Sequence, residues 1–218
     1  MATGRLLRTT GWAGIVGPLL FTVGFIGQEL SRVEEYSPLA EQVSALEAGP
    51  NGWIQQVNFV VFGLLTMAFA IGLHHALRPT TLGIVGPTLF FVTGIAAIGA
   101  GVFPLREDAA GITYAPGGHQ PAGLTFFLGS TLALIFISFR VAKDPGWSQL
   151  ALYVRLVALG LIVGNVVMVR FVIPDDAPLH DWAGLGQRIL VVGLLFPARV
   201  LMSYFMIRTA DEQAVLEA

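Results

Sequence analysis

Apolar residues run along this chain in six long stretches, each separated from the next by a short polar segment. They extend over about Gly11 to Gln28, Ile54 to Leu77, Leu82 to Phe103, Pro121 to Phe139, Leu150 to Ile173 and Ala183 to Ile207. A helix needs about 20 apolar residues to cross roughly 30 Å of hydrocarbon. The pattern therefore predicts an all-α polytopic bundle of six transmembrane helices within residues 1–210, and a short polar tail from 211 to 218. A cleavable signal peptide is the rival reading of the first stretch, which has a basic start and an apolar middle. Its full bilayer length and the lack of a clear A-x-A site favour a retained span. The last two stretches carry Arg155, Arg170, Arg188 and Arg199. These are expected near helix ends, where long side chains snorkel to the headgroups.

Composition agrees with the pattern. Apolar residues make up 55% of the 218 residues and charged ones 12%, against roughly 25% charged in an average soluble protein; mean hydropathy is +0.73. A disordered chain is excluded, and 12 Lys and Arg against 14 Asp and Glu argue against a nucleic-acid partner. With no cysteine, the chain has neither a disulfide framework nor a thiolate metal site.

The basic residues set the expected orientation. Eight of the twelve (Arg5, Arg8, Arg78, Arg140, Lys143, Arg155, Arg199 and Arg208) map to the side of the N-terminus, and four (Arg32, Arg106, Arg170 and Arg188) to the other. Both termini are thus expected in the cytoplasm, the protein being a multi-pass component of a prokaryotic cytoplasmic membrane. Ten of the fourteen acids fall on the opposite, outer side. Trp12, Trp53, Trp147, Trp182, Tyr36 and Tyr114 read as an interfacial aromatic belt.

The chain also echoes itself. Gly14-Ile15-Val16-Gly17-Pro18 opens the first span and Gly83-Ile84-Val85-Gly86-Pro87 the third, with Phe21 and Phe90 in register. An offset of two spans implies parallel hairpin repeats. His119-Gln120-Pro121-Ala122-Gly123 opens the fourth span and His180-Asp181-Trp182-Ala183-Gly184 the sixth. In the first outer loop Leu39, Val43 and Leu46 have helical spacing, with Ser37 as cap, Pro38 at the first position and Gly49 as stop. This predicts a short amphipathic helix lying at the outer interface.

No P-loop, G-x-G-x-x-G, G-x-S-x-G or H-E-x-x-H motif is present. What the sequence offers is a concentration of polar groups in its outer third. Glu29, Gln55, Asn58, Arg106, Asp108, His119, Gln120, His180, Asp181, Gln187 and Arg188 are the candidates for a ligand pocket. Those within spans, together with Asn165, must face the bundle interior to find partners. Two chemistries fit them. The cluster can hold the polar head of a lipid or amphiphile. Alternatively, His119 and His180 with Asp108 can hold a divalent metal such as zinc and activate water against a hydrophobic substrate. His74 and His75, with Arg78, sit where cations favour a helix C-terminus.

The chain resembles the six-span prokaryotic membrane proteins of family DUF998. The resemblance rests on Phe103-Pro104, Asp108, His119 and Gly186-Gln187-Arg188-Ile189. It implies the six-span architecture and draws attention to the Phe-Pro…Asp…His loop, without supplying a reaction. The family pattern carries an acidic residue beside the arginine of the sixth span, where this chain has Gln187.

The expected function is binding or handling of a lipid or other amphiphile, with membrane lipids and a hydrophobic small molecule as partners. A metal-dependent membrane enzyme and a structural or assembly subunit are the alternatives.

Overall fold

The computed structural model describes residues 2–77, 80–108, 113–115 and 117–216. Arg78 and Pro116 lie outside the described residues. Six spans are long and apolar enough to cross a membrane. The first four are α1 (Ala2–Ser31), α2 (Trp53–Leu77), α3 (Thr81–Val102) and α4 (His119–Val141). The fifth is α5 (Ala151–Val167), which widens into a π-helical segment, Met168–Val172. The sixth begins as α6 (Ala183–Arg188), widens over Ile189–Leu195 and continues as α7 (Phe196–Leu216). Among the described residues the extended structure is a two-residue antiparallel ladder, Arg106–Glu107 against Thr113–Tyr114.

The spans form a ring. α2 packs against α1 and α3, α3 against α4, α4 against α5, and α5 against the π-helical part of the last span, while α7 returns to α1. An ion pair between Arg8 and Asp211 joins the start of the first span to the end of the last. Both termini therefore lie at one end of the bundle, and the long connections at the other, distal end.

Glycines set the close approaches. A β-carbon at Gly63 would lie 2.5 Å from the Gly94 carbonyl oxygen, so α2 and α3 touch there backbone to backbone. In the two Gly-x-x-Gly-Pro openings, Gly17 leaves space for the Arg199 guanidinium, whose Nη2 would lie 3.1 Å from an added β-carbon. Gly86 leaves space for Ile137 of α4. Phe21 and Phe90, which follow in register, both pack against α2: Phe21 against Phe62 at 4.8 Å, tilted, and Phe90 edge-on to Phe69 at 5.6 Å between ring centroids.

Several expectations need correcting. The segment from Ser37 to Gly49 forms turns and a short 3₁₀ helix, Val43–Glu47, in place of an amphipathic α-helix. The carbonyls an α-helix would use are engaged elsewhere. Those of Leu39 and Ala40 accept from Leu185 and Gly184 of α6, and those of Glu41 and Gln42 accept from the Tyr36 hydroxyl at 3.0 Å. Gly49 does provide the stop, in the left-handed region at φ +72°. The polar tail from Asp211, about whose conformation the sequence made no statement, is helical as far as Leu216, with Arg208 donating to Glu212 at 2.8 Å one turn on.

Trp147 and Tyr36 are core residues and no part of an interfacial belt. Trp147 packs on Phe205 at 5.6 Å. Trp12, Trp53, Trp182 and Tyr114 are the exposed ones.

Arg199 does not snorkel. It is 1% exposed, with its guanidinium 5.0 Å from the ring centroids of both Phe62 and Phe69 and Nη1 donating to the Thr66 hydroxyl at 2.6 Å. The helix continues well past it, so this arginine is held among the helices instead of at their end.

Candidate functional site

The ring encloses a cavity of about 390 Å³ in its distal half. All six spans contribute to its wall. Phe21 and Phe25 come from α1, Phe59 and Phe62 from α2, and Ala96, Ala97 and Ala100 from α3. α4 adds Phe126 and Phe127, and the π-helical segments of the fifth and sixth spans add Met168 and Leu190. π-Helical segments inside α-helices frequently mark functional sites, and here both occurrences border the cavity. The three alanines keep that wall of α3 low, and the phenylalanines make the rest apolar.

The polar lining is Gln42, Ser44, His119, Gln120, Asn165, Gln187 and Arg188. Asn165 donates to the Thr131 hydroxyl at 3.1 Å, tying α5 to α4. The others lie at the distal rim. Of the sequence candidates, His119, Gln120, Gln187 and Arg188 thus reach the cavity.

The remaining candidates do other work. Glu29 is the counter-ion of Arg188. Gln55 is fully buried and accepts from Asn58 at 3.1 Å, while Asn58 also donates to the Phe21 carbonyl at 2.9 Å, bracing α1 against α2. Arg106, Asp108, His180 and Asp181 are exposed at the distal surface.

The distal loop covers the cavity, and the polar residues of α6 hold it down. Gln187 accepts the Val43 N–H at 2.7 Å. Arg188 donates through Nη1 to the carbonyls of Glu41 and Gly184 at 3.0 and 2.9 Å. Its Nη2 pairs with Glu29 and reaches the Tyr36 hydroxyl at 2.8 Å. Burial pushes that hydroxyl up to about 12, against the opposing pull of Arg188, so it stays protonated and donates to the loop.

The two histidines of the repeated helix openings have matching roles. His119 Nδ1 lies 3.3 and 3.2 Å from the carbonyl oxygens of Ala100 and Phe103, at the end of α3. His180 Nδ1 lies 3.2 Å from the carbonyl oxygen of Val172, at the end of the fifth span. Each imidazole ties a returning helix to the last turn before it, satisfying carbonyls that have no partner within their own helix. Two acceptor carbonyls require the proton of the neutral ring on Nδ1, which leaves Nε2 of His119 as an acceptor.

Glu47 is one of the ten outer acids, and it joins the site without being among the candidates read from the sequence. Its side chain is fully buried, with Oε2 3.2 Å from His119 Nδ1 and 3.1 Å from the Leu105 N–H. Burial raises its carboxyl to about 8, offset in part by the Leu105 hydrogen bond. Glu47 thereby links the first distal loop, the connection after α3 and the start of α4. Its signal in the sequence was Val43-Ser44-Ala45-Leu46-Glu47, where an acid ends an otherwise uncharged run.

His119 and His180 are held by different carbonyls. No group of three or more His, Asp or Glu side chains converges as a metal site among the described residues.

A ring of six apolar helices with short connections defines a multi-pass integral membrane protein. The family model described as a protein of unknown function, DUF998, matches residues 15–203, and the chain belongs to that family. No curated protein and no solved structure matches it.

Proposed function

We propose that the protein binds a single lipid or amphiphile in the distal cavity, taking it sideways from the membrane. One observation carries this reading: apart from Asn165 the cavity wall is apolar except at its distal end, and the exposed members of its lining are gathered on α4 and at the distal end of the fifth span. Leu124 and Leu128 of α4, Val169 of the fifth span and Ile173 just after it line the cavity and are 58%, 48%, 64% and 49% exposed. The loop through Val43 and Ser44 covers the distal end, so the route for an apolar chain runs between these two helices. The volume falls within the range of ordinary small-molecule sites, roughly 300–1,000 Å³. With both termini in the cytoplasm, as the basic residues favour, the cavity lies in the outer leaflet.

Mass spectrometry of lipids retained by the purified protein tests the proposal. Ala97 is buried on the cavity wall, and Ala97→Trp fills that space. Wild type is expected to retain a lipid that Ala97→Trp, still folded by circular dichroism, has lost. Identical lipid content in both proteins contradicts the reading.

A further inference from the structure

We propose that the cavity selects an amphiphile with an uncharged, hydroxyl-bearing head, such as a long-chain alcohol or a monoacylglycerol, over anionic and cationic lipids. This rests on the reading of the cavity as an amphiphile site.

The charged group at the rim is already used. A guanidinium has five N–H groups. The four on Nη1 and Nη2 of Arg188 are directed at Glu41, Gly184, Glu29 and Tyr36. Only Nε–H remains, buried and without a partner. Bidentate capture of a carboxylate or phosphate needs two adjacent N–H groups, and Arg188 has no such pair free. Its charge is balanced by Glu29. An anionic head would leave water without gaining a cation, at a cost that burial makes large.

A cationic head fares no better. Taking a charge out of water needs a counter-ion, and no Asp or Glu among the described residues lines the cavity. Glu29 is taken. Of the aromatic rings on the wall, Phe25 and Phe62 already face the guanidinium groups of Arg188 and Arg199, at 5.7 and 5.0 Å.

What remains toward the cavity is neutral and mixed in hydrogen-bonding character. Gln42 and Gln120 bring amides with both donors and acceptors. His119 keeps Nε2 as an acceptor, while Asn165 lies below the rim, tied to Thr131. A hydroxyl, both donor and acceptor, matches this set, whereas a carboxylate offers acceptors only.

The test uses the full chain in phosphatidylcholine nanodiscs with tritiated monododecanoylglycerol as probe, read by scintillation proximity. Competitors are dodecanol, dodecanoate, dodecyl phosphate and dodecyltrimethylammonium at equal mole fraction in the bilayer. Dodecanol is expected to displace the probe at least about tenfold more effectively than any charged competitor. In Glu29→Gln, where Arg188 loses its counter-ion, dodecanoate is expected to gain about tenfold while the probe still binds, which also reports that the variant is folded.

A charged competitor that matches or exceeds dodecanol on the wild type overturns the head-group assignment and leaves the amphiphile site standing. Equal dodecanoate potency on wild type and Glu29→Gln also overturns it, because the neutralised Arg188 then does not set the preference. Probe retention that is unsaturable, or unaffected by Ala97→Trp, overturns the amphiphile site itself.

Discussion

The carboxyl of Glu47 lies against the imidazole of His119, with Oε2 3.2 Å from Nδ1. Glu47 comes from the first distal connection and His119 opens α4, so their contact closes the cover of the cavity onto the start of that helix. The Leu105 N–H completes the junction at 3.1 Å.

Glu47 makes stability depend on pH in a stated direction. Its carboxyl is raised from 4.5 to about 8 in the folded protein. Between those values the folded chain holds a proton that the unfolded chain releases, so stability present below pH 4.5 is lost as pH rises through 8. The effect is on the order of 5 kcal/mol at most. Thermal unfolding in detergent is expected to give a lower Tm at pH 8.5 than at pH 5. Glu47→Gln, which keeps an oxygen for Leu105 and cannot ionise, is expected to remove much of that difference. An unchanged pH slope in the variant would show that Glu47 is not its source.

Arg199 is a buried cation without a carboxylate among the partners described for it. Its Nε and Nη2 are buried and make no hydrogen bond, so aromatic faces and the Thr66 hydroxyl are what hold it. A well-packed apolar residue of similar volume often replaces a buried charge at little or no cost. Arg199→Met is therefore expected to unfold within about 1 kcal/mol of wild type, or to be stabilised. Arg199→Ala leaves a cavity and is expected to cost about 2–5 kcal/mol. Chemical denaturation in detergent compares the two. A Met variant as damaged as the Ala variant would indicate that the positive charge itself is required.

The six spans were legible because the cost of placing polar backbone and side chains in hydrocarbon is written in every helix. Hydropathy does not record which neighbour a side chain meets. Arg199 was assigned to a helix end because an arginine inside a span usually snorkels, yet the apolar run continuing from Val200 to Ile207 was a sign that it lay inside. The loop from Ser37 to Gly49 has helical spacing, but the long-range N–H donors of Gly184 and Leu185 decide its backbone. Both π-helical segments are likewise tertiary features, arising where the fifth and sixth spans border the cavity. Arg188 was legible as an interior charge that needs a partner, and Glu29 was among the acids named for that region. Glu47 was missed because its burial depends on three connections folding together.

Orientation has a direct test, helped by the absence of cysteine from the chain. Asp176 lies in the distal connection before α6, and Lys143 lies between α4 and α5 at the end that carries the termini. Both are outside the spans. In intact cells, an impermeant maleimide is expected to label Asp176→Cys and to label Lys143→Cys only after lysis. The reverse pattern would place the cavity in the inner leaflet and reverse the orientation taken from the basic residues.

Gln187 separates a role as acceptor from a role as neutral neighbour of Arg188. Its Oε1 accepts the Val43 N–H at 2.7 Å, holding the 3₁₀ segment over the cavity. Gln187→Leu leaves that N–H without its acceptor, at a cost of about 1–3 kcal/mol. Gln187→Glu keeps an acceptor and sets a carboxylate beside Arg188, so it is expected to hold the cover at least as well. Thermal unfolding compares stability, and limited proteolysis within residues 37–49 reports the cover directly. The Leu variant is expected to be cut faster and the Glu variant no faster than wild type. Rapid cutting of the Glu variant would mean that the neutral amide, and not its acceptor oxygen, is what the loop requires.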